Sequence, residues 1–328
     1  MIRRREFITL LGGAAAASPL AARAQQTMPR VAVIMVHRDT DRLGHGRLQA
    51  FVAAFENLGW RTGHNVQIDV RWAAGSAERM RQIAAEFVAL KPDVIVASGT
   101  PAVDALKRAR SSIPVVFAGV QEPVEQGFIA SMAHPGGNIT GFTLGDFPIV
   151  GKSIDLLKAM EPGLKRVGLM YNPETYGFYD AYLARFQAEA RWPMELVRLA
   201  VRVPSDIDVA IKKFSTQPNG GVAVLVDAFN TINQATIREA LERHPMPHVV
   251  PWRLFVESGG LMSYGPDVDA VFAQSAGYVD RILKGTSPAD LPAQDPTKYE
   301  FVINLKAAKA LGLVVPSTLV AIADEVIE

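Results

Sequence analysis

Two periodicities alternate along this chain. Residues 30 to 36, Arg-Val-Ala-Val-Ile-Met-Val, form a β-branched run without a polar break after Arg30, as expected of a strand buried on both faces of a parallel sheet. Leu48, Phe51, Val52, Phe55 and Leu58 then recur at helical spacing and predict a helix over 43–59, closed by Gly59. The pattern continues with strands predicted at 65–71, 93–97, 114–118 and 138–142, and helices near 76–90, 101–110 and 122–133. Alternating β and α elements imply a parallel sheet with helices on both faces.

A second pass begins at Arg166-Val-Gly-Leu-Met-Tyr171, echoing the opening strand. Helix 177–191, strand 194–200, helix 205–215, Val222–Val226 and Pro247–Val250 follow in the order already seen, offset by roughly 130 residues. The repeat predicts an α/β protein of two Rossmann-like lobes with parallel sheets. The first lobe is expected to comprise 29–143 plus about 263–290, and the second 144–262 plus about 291–328. The chain would cross between them near Phe142–Gly145, Gly260–Gly265 and Pro288–Pro296. Loops after the strands' carboxyl ends would line a ligand cleft between the lobes.

The first 24 residues change the setting. Arg3-Arg4-Arg5-Glu6-Phe7-Ile8, an apolar stretch from Thr9 to Ala22 and Ala22-Arg23-Ala24 have the form of a twin-arginine export signal, with cleavage expected after Ala24. Gly12, Gly13 and the alanines make the stretch too weakly apolar and too short for an anchor. Without this segment the chain carries 30 basic and 32 acidic residues, leaving no basic excess to argue for nucleic acid. No cysteine exists for a disulfide or a lipid anchor. A soluble periplasmic protein is the expectation, and about 304 mature residues are enough for two domains.

Nucleotide and catalytic signatures are thin. After the first strand, His37–Gly46 has no properly placed G-x-G-x-x-G, and Gly44 and Gly46 suit a mobile loop better. Gly151-Lys152-Ser153 lacks the upstream glycine of a P-loop and reads as part of a surface helix. Six histidines are scattered without metal-ligand spacing, and His244 and His248 beside Pro245 and Pro247 read as a turn. Asp39 and Asp41 lack the oxygen ladder of a calcium loop and read as solvated charges. Ser76, Ser98 and Ser258 lack a nucleophile-elbow context. These absences predict no metal, no cofactor and no catalytic residues.

The strand-end loops carry the candidate binding residues. Ser98-Gly99-Thr100-Pro101 runs from a strand into a helix, where Thr100 can cap, Pro101 suits the first turn and free amides can receive a carboxylate or another oxygen acceptor. Gln121 and Glu122 follow the next strand, and Asp227, Phe229, Asn230 and Thr231 stand at the corresponding place in the second half. A carboxylate of Glu122 or Asp227 would hold an ammonium, and Asn230 and Thr231 offer donors and acceptors; each equally serves as a helix cap. Tyr171, Tyr176, Phe229, Trp252 and Tyr264 gather at the same predicted edge, with Phe142 near a crossing, and would sandwich a planar or apolar ligand.

Thr100-Pro101-Ala102, Pro135-Gly-Gly-Asn-Ile-Thr-Gly141, Asn230-Thr231, Gly259-Gly-Leu-Met-Ser-Tyr-Gly265 and the ending Ile303–Gly312 with Pro316 together resemble the ABC transporter substrate-binding proteins of the type I periplasmic binding protein fold. The resemblance spans nearly the whole mature chain. It implies an exported, monomeric receptor, not an enzyme, that delivers a small-molecule ligand to an ABC permease in the inner membrane; some members are similar to aromatic amino-acid receptors. It also implies ligand contacts at Thr100, Pro101, Asn230 and Thr231. Relatives commonly carry Asp-Pro where this chain has Glu122-Pro123, whose extra methylene would push the carboxylate further into the cleft. An exported ligand-sensing subunit for a membrane receptor remains an alternative, as does an exported α/β enzyme. A DNA-binding repressor of the same fold is excluded by the export signal and the absence of a helical headpiece.

Overall fold

A computed structural model of the chain describes residues 28–175, 177, 179–188 and 192–328; the expected export segment lies outside them. The first lobe runs β1 (Arg30–Met35), α1 (Arg42–Asn57), β2 (Gln67–Trp72), α2 (Ala77–Leu90), β3 (Val94–Ser98), α3 (Thr100–Arg108), β4 (Val115–Val120) and β5 (Ile139–Thr143). The second starts with α4 (Asp146–Met160), β6 (Arg166–Tyr171), α5 (Tyr179–Ala188), β7 (Glu195–Ala200), α6 (Pro204–Ser215) and β8 (Gly220–Val224). It continues through α7 (Ala228–Ile232), α8 (Gln234–Arg243), β9 (His248–Val250), α9 (Arg253–Glu257) and β10 (Met262–Pro266). Helix α10 (Val268–Leu283), β11 (Tyr299–Asn304), α11 (Leu305–Ala310), α12 (Ser317–Ile322) and β12 (Glu325–Ile327) complete the chain.

Five parallel strands in the order β2-β1-β3-β4-β5 form one sheet. The other has seven, β12-β11-β10-β9-β8-β6-β7, parallel except where β10 meets β11. The unbroken apolar run at the start of β1 is explained by burial on both faces: Ala32 and Ile34 join α2 and α3, whereas Val31, Val33 and Met35 pack with Phe51, Phe55 and α10. Helix α10 therefore belongs to the first lobe although it follows the second in sequence; Phe272, Ala276 and Val279 cover one face of that sheet, and Asp280 accepts the Trp60 indole N–H at 2.9 Å.

Three features differ from the sequence reading. The predicted helix over 122–133 is a series of turns, because Glu122, at φ +39°, and Gly127, at φ +64°, leave the helical region and Phe128 closes back to the Pro123 carbonyl. Gly44 and Gly46 lie inside α1 rather than in a loop: Asp41 caps the helix by accepting the Leu43 amide at 2.9 Å, so it too is more than a solvated charge. A Cβ on Gly44 would stand 2.7 Å from the His37 Cβ, so the glycine lets α1 close on that imidazole. His248 is a strand residue of β9, not a turn.

Two lobe boundaries, expected at 263 and about 291, fall a few residues later. Met262 and Ser263 pair with β9, and the whole of β10 pairs with β11, so residues 263–266 stay in the second sheet and the chain crosses after Pro266. Leu291 and Ala293 are buried in the first lobe, Ala293 donates to Met132 and Gln294 donates to Gly141, which moves the return crossing beyond Gln294. Among the described residues no helix is long and apolar enough to span a membrane.

Candidate ligand cleft between the lobes

The carboxyl ends of both sheets face one another. Val36, Ser98, Gly119, Gln121 and Leu144 come from the ends of β1, β3, β4 and β5, while Val226, Asp227, Thr231, Pro251, Trp252 and Pro266 come from β8, β9, β10 and α7. Together they bound a narrow space of about 40 Å³. It adjoins a cavity of about 270 Å³ that shares Arg47, Pro251, Trp252, Pro266 and Val268 and adds Leu43, Ser263, Gly265 and charged groups at its rim. The lobes touch at the mouth, where the Arg38 guanidinium donates to the Ile232 carbonyl at 3.3 Å.

The Ser98–Pro101 loop enters the cleft as a strand end should. Gly99, at φ +78°, occupies the position before α3 and supplies no side chain, so the first-turn amides have no side-chain cap. Thr100 is the first helical residue instead of the cap, and its hydroxyl accepts the Gln121 amide at 3.2 Å across the β3 and β4 ends. Gln126 donates to the Gln121 carbonyl and fixes that backbone. The Gln121 side-chain amide nitrogen is buried without a partner and lines the narrow space.

Asp227 lines the same space from the other lobe, but its carboxylate is engaged. One oxygen accepts the Asn230 amide at 2.6 Å and caps α7, and the other accepts the Asn172 amide at 2.9 Å. Burial pushes its pKa up to about 7 against the pull of these N–H donors. The Thr231 hydroxyl donates to the Asp227 carbonyl at 2.7 Å while its side chain borders the cleft.

Ser98, Gly99, Thr100, Pro101, Gln121, Asp227 and Thr231 are thus brought together, and five other candidates are not. Asn230 is fully buried and its amide donates to the Met170 and Leu225 carbonyls, both at 3.1 Å, tying the ends of β6 and β8. Tyr171 packs into the second lobe's core, stacked on Tyr179 at 3.7 Å. Phe229 packs on the opposite face of that sheet. Tyr264 stacks on Tyr299 behind Leu144 and Val226. Glu122 stands outside the narrow space with Glu125 and Asp295; burial, then the Glu125 side chain, raise its pKa to about 7. Tyr176 lies outside the described residues.

Sequence reasoning missed Arg47 and Ser263 as site residues, whereas Trp252, one of the aromatics expected at this edge, does line the cleft. Arg47 is buried on the same stripe of α1 as Phe51 and Phe55, and it borders both the narrow space and the larger cavity. An arginine four residues before Phe51 on an apolar face was the available signal. Trp252, at 5% exposure, forms an apolar wall of both spaces. Among the described residues no three His, Asp or Glu side chains gather where they could hold a metal.

Comparison with known proteins follows this geometry. The sequence profile of the family described as ABC transporter substrate binding protein matches residues 30–327. A protein named tyrosine-binding protein from Clostridioides difficile (strain R20291) is 26% identical over 286 residues, covering 86% of this chain and 80% of that one. A solved conserved domain protein from Vibrio cholerae O1 biovar El Tor superposes with a TM-score of 0.84 at 27% identity, covering 91% of this chain and 99% of that one. A structure described as the ABC domain in complex with L-Trp from Streptococcus pneumonia gives 0.82 at 22% identity with the same coverage, a likeness of fold.

Proposed function

We propose that this chain, which belongs to the family of ABC transporter substrate binding proteins, is an exported receptor that closes its two lobes on an amino acid or a related small aromatic compound and hands it to a membrane permease. The observation that carries the reading is the cleft itself: the carboxyl ends of both sheets supply its walls, and Gln121, Thr100 and Ser98 on one lobe face Asp227, Thr231 and Trp252 on the other. A ligand touching both sides stabilises the closed arrangement by its differential affinity for it. Trp252, Pro251, Leu43 and Val268 give an apolar wall for a ring, and polar groups at the strand ends fix its orientation. The named tyrosine-binding relative supports the amino-acid class.

The periplasm is the site of action if the Arg3–Ala24 segment directs export as its sequence predicts. Affinity near micromolar, about −8 kcal/mol, suits a carrier that must also release its cargo. Melting of residues 25–328 is to be measured against amino acids, aromatic acids, sugars, nucleosides and short peptides. Binding to the native state alone raises the melting temperature. Selective stabilisation by amino acids or aromatic compounds is expected; a chain that none of the compounds stabilises is not the receptor described.

A further inference from the structure

We infer that Arg47 is the anchor for a carboxylate on the solute, so that the receptor selects small monoanionic or zwitterionic carboxylates over neutral compounds. The inference rests on the receptor reading and specifies its ligand chemistry.

Arg47 as a whole retains only 8% exposure. One of its terminal nitrogens, Nη1, donates to His37 Nε2 at 2.7 Å. Arginine has only donors, so the imidazole accepts through Nε2 and carries its proton on Nδ1. Burial and the adjacent guanidinium keep His37 neutral, so this bond orients Arg47 without neutralising it. No described ion pair involves Arg47, and its Nε is buried without a partner. The carboxylates that act on it electrostatically are Asp269, which borders the larger cavity, and then Asp41, whose Oδ1 caps α1; neither forms an ion pair with it. Asp227, across the narrow space, accepts backbone amides on both of its oxygens.

A buried guanidinium with no ion-paired partner is destabilising, whereas a carboxylate placed against it recovers a charge-assisted, often bidentate interaction. Of the other carboxylates that line the larger cavity, Asp267 and Glu300 pair with Lys298 and Glu257 pairs with Arg253, and several donors converge beside Arg47. Gln121 Nε2 lacks a partner and borders the narrow space, the first turn of α3 has no side-chain cap, and the Ser263 hydroxyl, buried without a partner, borders the larger cavity from the second lobe. A single unpaired buried cation matches a carboxylate in charge; a phosphate dianion would leave excess negative charge in the same place. Ser263 joins the arrangement only when the second lobe is in place, which links recognition of the carboxylate to closure.

The test compares acids with their amides. L-Tyrosine against L-tyrosinamide and 3-phenylpropionate against 3-phenylpropionamide, with glucose and adenosine as neutral solutes, are titrated into the wild type, Arg47→Lys and Arg47→Met. The acid of a pair is expected to bind ~100-fold more tightly than its amide, and Arg47→Met to lose ~100-fold in affinity for that acid, with Arg47→Lys between them. With no solute added, Arg47→Met is expected to melt at or above the wild-type temperature, because an unpaired buried charge has been removed. Equal binding of acid and amide, or undiminished binding by Arg47→Met, overturns the assignment. So does a marked fall in the melting temperature of solute-free Arg47→Met, which makes Arg47 a structural partner of His37. A neutral solute bound equally by wild type and Arg47→Met overturns the anchor and leaves the receptor reading standing; failure of every compound to bind overturns both.

Discussion

Single residues decide which polar groups remain free for a ligand. Asn230 shows how a residue at a binding edge can be consumed by the fold: its amide holds the carbonyls of Met170 and Leu225, so two strand ends depend on it. Asn230→Ala is expected to destabilise the protein by about 1–3 kcal/mol, because a buried carbonyl loses a donor. Urea unfolding measures this; weakened ligand binding with an unchanged unfolding midpoint contradicts the structural role. The Ser98–Pro101 loop was legible in the sequence because a β-branched run followed by Gly-Thr-Pro marks a strand entering a helix at the edge where open sheets bind. Arg47 was not, because reading a helix by its apolar spacing passes over a charged residue on the apolar stripe, and its meaning depends on His37 and Ser263 arriving from elsewhere.

At the scale of elements, polar side chains fasten strand and helix ends. His248 links the start of β9 to that of β10, its Nδ1–H bonded to the Met246 carbonyl and its Nε2 accepting the Leu261 amide at 2.9 Å. Burial lowers its pKa to about 4, so the folded protein keeps it neutral while the unfolded chain protonates it below about 6.5. The unfolded state then binds more protons, and stability present above pH 6.5 is lost as pH falls through 4, by about 3 kcal/mol from this residue. Asp227, raised to about 7, acts in the opposite sense between pH 4 and 7, so the wild-type curve contains both. His248→Gln is expected to lose less stability than wild type between pH 6.5 and 4; parallel curves in denaturant titrations contradict the assignment. The strands were legible from their β-branched runs, but the predicted helix over 122–133 was not sustained, because apolar spacing there outweighed Gly127 in the reading and gave no sign of the positive φ at Glu122.

The whole molecule is two sheets joined by chain crossings and sharing a cleft. Their positions were the least legible feature: only the pairing of β10 with β9 and β11, and the packing of Leu291 and Ala293 into the first lobe, determine where the chain leaves each lobe. Crossings after Thr143, Pro266 and Gln294 connect the lobes by short segments, the arrangement in which hinge closure occurs. Arg47, Gln121 and Thr100 move with one lobe, Asp227, Trp252 and Ser263 with the other, so a solute that spans them favours closure. Small-angle scattering of residues 25–328, alone and saturated with the solute that raises its melting temperature most, tests that claim. A smaller radius of gyration and a narrower distance distribution on saturation are expected; superimposable curves at demonstrated saturation would contradict binding by closure of the lobes.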